Sequence, residues 1–380
     1  MATSSRTLPT IDPFLIWLIG TVAAASLLPV RGDAAGWVGL IADLAIALLF
    51  FLHGAKLSRA AIVQGMGNWR LHGLVLSSTY ILFPVVGVVL VMVMAGHADP
   101  LLLSGLLFLT LLPSTVQSSI AFTAMAGGDV AAAVCSASLS NLLGIALTPL
   151  LVALVMHGGG EGGVSSWQSV RSIALQLLAP FLAGHLLRPL IGGFVDRHKK
   201  LLQPVDRGSI LLVVYSAFSA AVVGGIWSKV GLTDLLTLLA LSAVVLAVIM
   251  GTNALVARLF KLPRQDAIVL FFCGSKKSLV SGVPMAGALF PAAQVGIVLL
   301  PLMIFHQLQL FLCAAMAGRF RRQGEALVAT EAARAVPRAQ DDIARAAADR
   351  DMAIPASCMP GVEANLALLD GHAQTLRGDA

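Results

Sequence analysis

Ten apolar stretches, each about as long as a membrane-spanning helix, follow one another along the chain with short loops between them. A helix needs about 20 mostly apolar residues to cross the hydrocarbon core of a bilayer. The stretches centre on residues 13–30, 37–54, 71–95, 101–126, 130–156, 168–192, 208–227, 233–257, 266–289 and 292–317. Hydrophobic residues make up 58% of the chain and charged residues 12%, against about 25% charged in soluble domains. The sequence therefore predicts an all-α polytopic membrane protein.

Basic residues are distributed unevenly over the predicted loops. The loops on the side of the N-terminus carry Arg6, Lys56, Arg59, Arg70, Arg188, Arg197, Lys199, Lys200, Arg207, Arg258, Lys261, Arg264, Arg319, Arg321 and Arg322. The opposite loops carry only Arg31, Arg171 and Lys229. Because cytoplasmic loops are enriched in lysine and arginine, we expect both termini to be cytoplasmic and the membrane to be a bacterial inner (plasma) membrane.

The last part of the chain changes in composition. From about residue 323 it is rich in alanine and charged residues and contains three prolines. We therefore expect a transmembrane domain over residues 1–322 and a cytoplasmic, mostly flexible tail over residues 323–380, in which residues 324–350 could form a helix.

Two adjacent lysines, Lys276 and Lys277, lie inside the ninth apolar stretch. A lysine at the centre of a bilayer costs about 2.5–3.5 kcal/mol on insertion scales. Gly274, Gly282 and Pro284 flank the pair. This pattern is typical of a helix that is broken within the membrane and lines a polar cavity, so the segment is the first candidate for a functional site.

The fourth and ninth stretches resemble each other in layout. Pro113 precedes a polar cluster that includes Ser114, Gln117, Ser118 and Ser119, and Met-Ala-Gly follows at residues 125–127. Gly274 precedes Ser275, Lys276, Lys277 and Ser278, and Met-Ala-Gly follows at residues 285–287. The two segments hold equivalent places in two sets of five predicted helices, which is the inverted-repeat plan of many secondary transporters. Alternatively, serine and threonine clusters serve only helix packing.

Residues 112–141 and 272–286 carry a resemblance to the bile acid:sodium symporter family, and more narrowly to its SBF-like branch. The likeness covers about residues 10–320. It implies ten helices in two inverted five-helix repeats, a panel domain that moves against a core domain, and broken fourth and ninth helices that cross in the core. It also implies a transporter of organic solutes.

The resemblance implies a sodium site, but several ligand positions differ here. The serine of the family's Ser-Asn pair corresponds to Ser118, whereas Ser119 stands in place of the asparagine. Ser136 is a match for a hydroxyl ligand of the fifth helix, with Ser138 or Ser140 as substitutes. The acidic ligand of the ninth helix has become Phe272, and its glutamine has become Lys276. We therefore expect no sodium site of the family's usual type.

Three roles for the lysines stay open from the sequence. A lysine ammonium could take the place of sodium, bonded to Ser118, Ser119 and carbonyls of the broken helices, and favour an anionic substrate. A lysine driven to its neutral form by burial could instead exchange a proton during transport. A lysine could also simply pair with a carbonyl and stabilise the crossing. Whether sodium or protons drive transport is therefore unresolved, and no other cofactor is expected.

Other polar residues lie within the apolar stretches. Asn253 and Gln307 belong to predicted core helices and are counted as candidate ligands, although such groups often serve only as interhelical contacts. Asp43 could face the cavity as a partner for a lysine, or it could pair with Arg31.

The sequence contains no metal-binding cluster, phosphate-binding glycine loop or nucleophile–base pattern, so we expect no enzyme. The predicted function is secondary transport of a small organic anion by alternating access, in the lipid bilayer. The alternatives are a non-transporting membrane regulator or sensor, and a proton-linked cation antiporter in which a lysine and Asp43 exchange protons with metal ions. The oligomeric state does not follow from the sequence.

Overall fold

Helices account for nearly all of the secondary structure of the chain. A computed structural model describes residues 13–56, 68–156, 167–225, 228, 230–334, 337 and 339–377, and no strand occurs within these ranges. The chain divides into two units, Met1–Gly318 and Arg319–Ala380. The candidate site lies in the first unit.

The first half of the large unit contains seven α-helices. They are α1 (Pro13–Leu27), α2 (Asp33–Lys56), α3 (Trp69–Ser77), α4 (Phe83–Met94), α5 (Pro100–Leu111), α6 (Gln117–Met125) and α7 (Val130–Met156). A π-helical turn, Ser78–Leu82, joins α3 to α4 without a break in the chain direction. Pro84 follows this turn, and a proline that removes a helical N–H is a common cause of such local unwinding.

The remaining helices of this unit follow after the described part resumes at residue 167. They are α8 (Trp167–Arg197), α9 (Lys199–Val223), α10 (Leu232–Leu259), α11 (Arg264–Cys273), α12 (Leu279–Leu289) and α13 (Ala292–Arg334). In the smaller unit, α14 (Gln340–Ala348) and α15 (Met359–Arg377) occupy the segment for which the sequence predicts a mostly flexible tail.

Seven helical segments of the described chain are long and apolar enough to cross a membrane. They are Asp33–Lys56, Trp69–Met94, Val130–Met156, Leu177–Val195, Leu201–Val223, Leu232–Leu259 and Ala292–Ala326. Three apolar helices are shorter: Ile16–Leu27, Pro100–Leu111 and Leu279–Leu289. The last two are halves of the interrupted fourth and ninth stretches. The arrangement of ten spans in inverted repeats goes beyond this finding and stays a prediction.

The two interruptions have local causes in the sequence. Leu112, directly before Pro113, has an extended backbone (φ −76°, ψ 159°), as expected because a following proline disfavours helical geometry. At the second interruption, helix α11 ends at Cys273. Ser278 has an extended backbone (φ −84°, ψ 112°), and its hydroxyl accepts a hydrogen bond from the Ser281 N–H. Ser278 therefore caps the N-terminus of α12.

The helices of the large unit form two groups. The first group consists of α1, α2, α8 and α9, in which α2 packs mainly against α8 and α1 against α9. The second, here called the crossing group, contains α3 to α7 and α10 to α12, in which α6 and α7 pack against α11. We count α13 with this group because Gln309 bonds the backbone of Lys277. Helix α12 also contacts α2, α8 and α9, so the second interrupted stretch lies where the two groups meet.

Two glycines allow α2 and α8 to approach closely. A Cβ atom at Gly54 would lie 2.0 Å from the carbonyl oxygen of Phe181, and a Cβ atom at Gly184 would lie 2.0 Å from that of Phe51. Both distances are far shorter than any real contact, so only glycine fits at either position. Small residues at helix contacts are a common way to obtain close packing in membrane proteins.

We expect Gly54→Ala and Gly184→Ala each to destabilise the protein by about 1–3 kcal/mol or more, because the added methyl group would collide with backbone. Thermal unfolding of the purified protein in detergent measures this. Gly39→Ala in the same helix α2 is the matched control, since a Cβ atom there meets nothing within 4 Å. Equal melting temperatures for Gly39→Ala and Gly54→Ala would contradict the role of Gly54 in packing.

Candidate functional site

The two interrupted stretches contact each other directly through their backbones. The Ser278 N–H donates to the Pro113 carbonyl over 2.9 Å, and the Ser114 hydroxyl donates to the Cys273 carbonyl over 2.6 Å. Breaking a helix leaves backbone groups unpaired, which is costly away from water. Here each break supplies partners for the other, so the predicted contact between the two interrupted stretches is present.

Side chains of three other helices complete the second break. Gln309 of α13 accepts a bond from the Lys277 N–H and donates one to the Lys277 carbonyl, both over 2.9 Å. The Asn253 amide donates to the Ser275 hydroxyl over 3.0 Å, and the Ser78 hydroxyl donates to the Gly274 carbonyl over 2.8 Å. The backbone of residues 274–277 is therefore held by α10, α13 and the π-helical turn.

Helix α7 does the same for the first break. The Asn141 amide donates to the Ser114 carbonyl over 2.7 Å, and the Ser114 N–H donates to the Ser140 hydroxyl over 3.0 Å. The Thr148 hydroxyl donates to the Leu111 carbonyl over 2.9 Å. Polar residues of the fifth predicted span are thus used to satisfy backbone.

The ammonium group of Lys277 is fully bonded by carbonyl oxygens. Its Nζ donates to Thr79 and Thr110 over 2.8 Å each and to Leu112 over 2.7 Å. An ammonium has three N–H donors, so none is left over. Thr110 and Leu112 lie at the end of α5, where carbonyls lack helical partners and carry partial negative charge. The third carbonyl belongs to the π-helical turn.

Lys276 has a different environment. Its side chain is completely buried, and its Nζ finds no hydrogen-bond partner among the residues that the structure describes. The Nζ lies 4.0 Å from the ring centroid of Phe122 and 5.6 Å from that of Phe272. Aromatic faces attract cations, but they do not replace three hydrogen bonds. The two adjacent lysines therefore have opposite polar environments.

The remaining predicted site residues are only partly brought together. Ser118 and Ser119 bond the Thr115 hydroxyl over 2.8 and 2.9 Å and are not bonded to either lysine, which was one of the three roles left open by the sequence. Ser136 bonds His72 Nδ1 over 2.7 Å. Gln117, the first residue of α6, is exposed.

The structure also locates two further residues that the sequence singles out, Gln307 and Asp43. Gln309, rather than Gln307, bonds the second break, because its side chain is completely buried against residue 277, whereas Gln307 is only half-buried. Asp43 is exposed on α2, and it is bonded to neither lysine. Sequence reasoning missed Thr79 and Thr110 because they contribute backbone carbonyls, which carry no sequence signal.

A cleft lies between the first helix group and the crossing group. Its volume is about 210 Å³. Its lining consists of Leu49, Phe50, His53 and Lys56 of α2, Phe181 of α8, Val116, four residues of α7 (Ser138, Asn141, Leu142, Ile145), and Ser281 and Met285 of α12. Apart from the basic side chains, its polar groups are two hydroxyls and an amide, so it has the character of a small-molecule site.

The cleft and the crossing share residues. The Ser281 hydroxyl donates to the Asn141 side-chain oxygen over 2.8 Å, while the amide nitrogen of Asn141 bonds the first break. Neither Lys276 nor Lys277 lines the cleft. A change in the geometry of the two breaks would therefore reach the cleft through Asn141, whereas neither lysine is part of the cleft lining.

Replacement of the two lysines by methionine provides a direct comparison. We expect Lys277→Met to destabilise the protein strongly, by about 3 kcal/mol or more, since three buried carbonyls lose their donor at about 1–3 kcal/mol each. We expect Lys276→Met to be neutral or stabilising, because an unpaired buried ammonium is replaced by an apolar side chain. Melting temperatures in detergent test both, and an equal or reversed order would contradict this assignment.

Comparison with known proteins agrees with this architecture. The model of the SBF-like CPA transporter family matches residues 12–322. An Escherichia coli (strain K12) protein named "Putative symporter YfeH" is 54% identical over 84% of this chain and 96% of its own. "Uncharacterized protein PA2026" of Pseudomonas aeruginosa is 50% identical over 82% of this chain and 93% of its own.

A vertebrate relative is more distant. "Sodium/bile acid cotransporter 7" of Danio rerio is 26% identical over 79% of this chain and 90% of its own. The match confirms the resemblance to bile acid:sodium symporters, and the names of family and relatives indicate transporters and not enzymes. The chain belongs to the SBF-like CPA transporter family and is a multi-pass membrane transporter.

Proposed function

We propose that the protein moves a small organic anion across the bacterial inner membrane by alternating access of the cleft. The observation that carries this proposal is the position of the cleft, between the first helix group and the crossing group and beside the two broken helices. In this proposal the ten apolar stretches span the membrane as two inverted repeats, with both termini cytoplasmic. The first helix group acts as the panel, and the crossing group acts as the core.

The side chains that line the cleft suit an anion better than a cation, since Asp206, the partner of Lys56, is not part of the lining. The lining contains two basic side chains, His53 and Lys56, and no carboxylate among the residues that the structure describes. A proton-linked cation antiporter needs acidic ligands near its ion path, and Asp43 is not part of the lining. The same argument distinguishes a carrier of organic anions from the antiporter alternative.

Lys277 supports a mechanism without a sodium ion at the crossing. Its ammonium is bonded by three carbonyl oxygens over 2.7–2.8 Å, and oxygen atoms are the ligands that hard metal cations require. A tethered cation bonded in this way leaves no need for a mobile one. Lys276, with no acceptor, is the lysine that could exchange a proton. The candidate ligands Ser114, Gln117, Ser118, Ser119, Ser136, Asn253, Ser275, Ser278 and Gln307 remain predictions.

Alternating access predicts that one cleft residue is reachable from both sides of the membrane in turn. We would introduce Ser138→Cys in a chain whose Cys135 and Cys358 are replaced by serine, which leaves only the buried Cys273 and Cys313, and label it with a membrane-impermeant thiol reagent in right-side-out and in inverted vesicles. We expect labelling in both orientations. Labelling in one orientation only would indicate a fixed cavity, as in a regulator or sensor.

The native Cys358 provides the orientation control in a second chain, in which Ser138 is retained and only Cys135 is replaced by serine. It is exposed, and it lies in the segment predicted to be cytoplasmic. It should be labelled only in inverted vesicles. Labelling of Cys358 in right-side-out vesicles would contradict the proposed orientation without affecting the conclusion about the cleft.

The sodium proposal has a separate test. We expect the melting temperature of the wild-type protein in detergent to be the same in sodium chloride and potassium chloride of equal ionic strength, because Lys277 already supplies the positive charge. In contrast, Lys277→Gln should gain stability specifically from sodium. Saturable stabilisation of the wild type by sodium at millimolar concentrations would contradict the tethered-cation proposal.

A further inference from the structure

One end of the cleft is formed by two basic side chains of the last turn of α2. His53 and Lys56 are three residues apart, so they lie on the same face of the helix, and both line the cleft. Lys56 forms an ion pair with Asp206 of α9. The Lys56 side chain nevertheless keeps 28% of its surface accessible, which leaves it able to contact a solute in the cleft.

The hydrogen bonding of His53 fixes the position of its proton. His53 Nδ1 lies 2.8 Å from the Leu49 carbonyl. A carbonyl oxygen only accepts, so Nδ1 must carry a hydrogen. The other ring nitrogen, Nε2, is then an acceptor when the ring is neutral and becomes a donor only when the ring is charged. A neutral His53 therefore presents a lone pair, which repels an anion, and a charged His53 presents an N–H.

Several groups near His53 affect whether its ring is neutral or charged. Lys56 on α2 and Asp206 on α9 are a mutually compensating pair. Helix α8 contributes His185, whose ring is stacked on Phe181 with 6.4 Å between centroids and whose Nδ1 is buried without a partner in the described structure. The lining residues from α7 and α12 are uncharged. Arg188 of α8 donates to the Ala55 carbonyl and adds a positive charge near this turn. An anion bound in the cleft would add a negative charge beside His53 and favour the charged form of its ring.

The rest of the cleft limits the kind of anion. Helices α2 and α8 contribute the apolar side chains Leu49, Phe50 and Phe181 to the lining, and α7 contributes Leu142 and Ile145. Asn141 and Ser281 add polar groups that are bonded to each other. The volume of about 210 Å³ is below the 300–1,000 Å³ typical of pockets for drug-sized ligands. The cleft suits a small acid with an apolar body better than a steroid acid.

Building on the proposed transport of an organic anion, we infer that His53 and Lys56 bind the carboxylate of a small apolar acid, and that His53 takes up one proton when the acid anion binds. Lys56 supplies the permanent positive charge, and Asp206 holds its ammonium in place. His53 Nε2 donates the second charge-assisted hydrogen bond. Anion and proton would then enter the cleft together, with Lys276 and Lys277 not touching the solute.

The sign of the pH dependence follows from the charge of His53. A charged ring attracts the anion, so affinity is highest at low pH and falls as the pH rises and the ring loses its proton. Uptake of a single proton changes the affinity by at most about tenfold per pH unit. The effect should disappear when residue 53 cannot be protonated.

Isothermal titration calorimetry of the full-length protein in detergent tests this, with hexanoate and benzoate as probes between about pH 5.5 and 8.5. We expect the wild type to bind about tenfold more tightly at the acidic end. Titrations in two buffers of different ionisation enthalpy should show uptake of a proton. His53→Gln should bind with an affinity independent of pH and without proton uptake, and Lys56→Gln should lose at least tenfold in affinity at every pH.

Matched controls are present in the same chain. His198 is half-buried and does not line the cleft, and its Nδ1 bonds the Phe194 carbonyl over 2.9 Å in the same i to i−4 geometry as His53. Lys261 is exposed at the end of α10. His198→Gln and Lys261→Gln should bind as the wild type does, so a loss specific to positions 53 and 56 reports the cleft.

Three results would overturn the inference. The first is an affinity that still depends on pH in His53→Gln. The second is wild-type affinity in Lys56→Gln. The third is a wild-type protein that binds neither acid at any pH, or that binds cholate, a steroid acid, more tightly than hexanoate. If Ser138→Cys is labelled from both sides and any of these results is found, the solute site proposed here is wrong, whereas alternating access is still supported. Labelling from one side only would count against transport itself.

Discussion

The contact between the two interrupted stretches depends on the three hydrogen bonds from the Lys277 ammonium to backbone carbonyls. Three carbonyls from the π-helical turn and the end of α5 converge on one ammonium. Each of these carbonyls lost its ordinary helical partner through a local irregularity, and without a common donor all three would be buried and unpaired. The charge on Lys277 and the breaks in the helices therefore stabilise each other, and removing either leaves the other unsatisfied.

The adjacent lysine shows that sequence position alone does not set the role of a buried charge. Lys276 is equally buried, but its ammonium faces aromatic rings, where no acceptor is found within the described structure. Since successive residues in a non-helical segment point in different directions, residues 276 and 277 contact different helices. Lys277 is bonded by three carbonyl oxygens, whereas the Nζ of Lys276 has aromatic rings beside it and no hydrogen-bond partner among the described residues.

The residues that hold the two interrupted stretches together are largely different from the residues that line the cleft. Lys277, Gln309 and Asn253 bond to the interrupted stretches and do not line the cleft. The cleft itself obtains its basic groups from α2, whose close contact with α8 depends on Gly54 and Gly184. A solute between α2 and α7 would thus contact both helix groups at once. This is the geometry needed if relative movement of the groups is to be coupled to binding.

The apolar runs determined the helical membrane architecture, because a bilayer permits few ways to pair a backbone and long hydrophobic stretches leave helices as the simplest one. Pro113 and Gly274 likewise marked the two interruptions, since proline and glycine act locally. The partners of Lys277 were not readable, because backbone carbonyls at residues 79, 110 and 112 look like any others in a sequence. Only the tertiary structure brings these carbonyls together. It also shows that Gln309 rather than Gln307 bonds the second break, and that His53 and Lys56 line the same cleft as Asn141. Each of these contacts depends on how helices distant in sequence pack against each other.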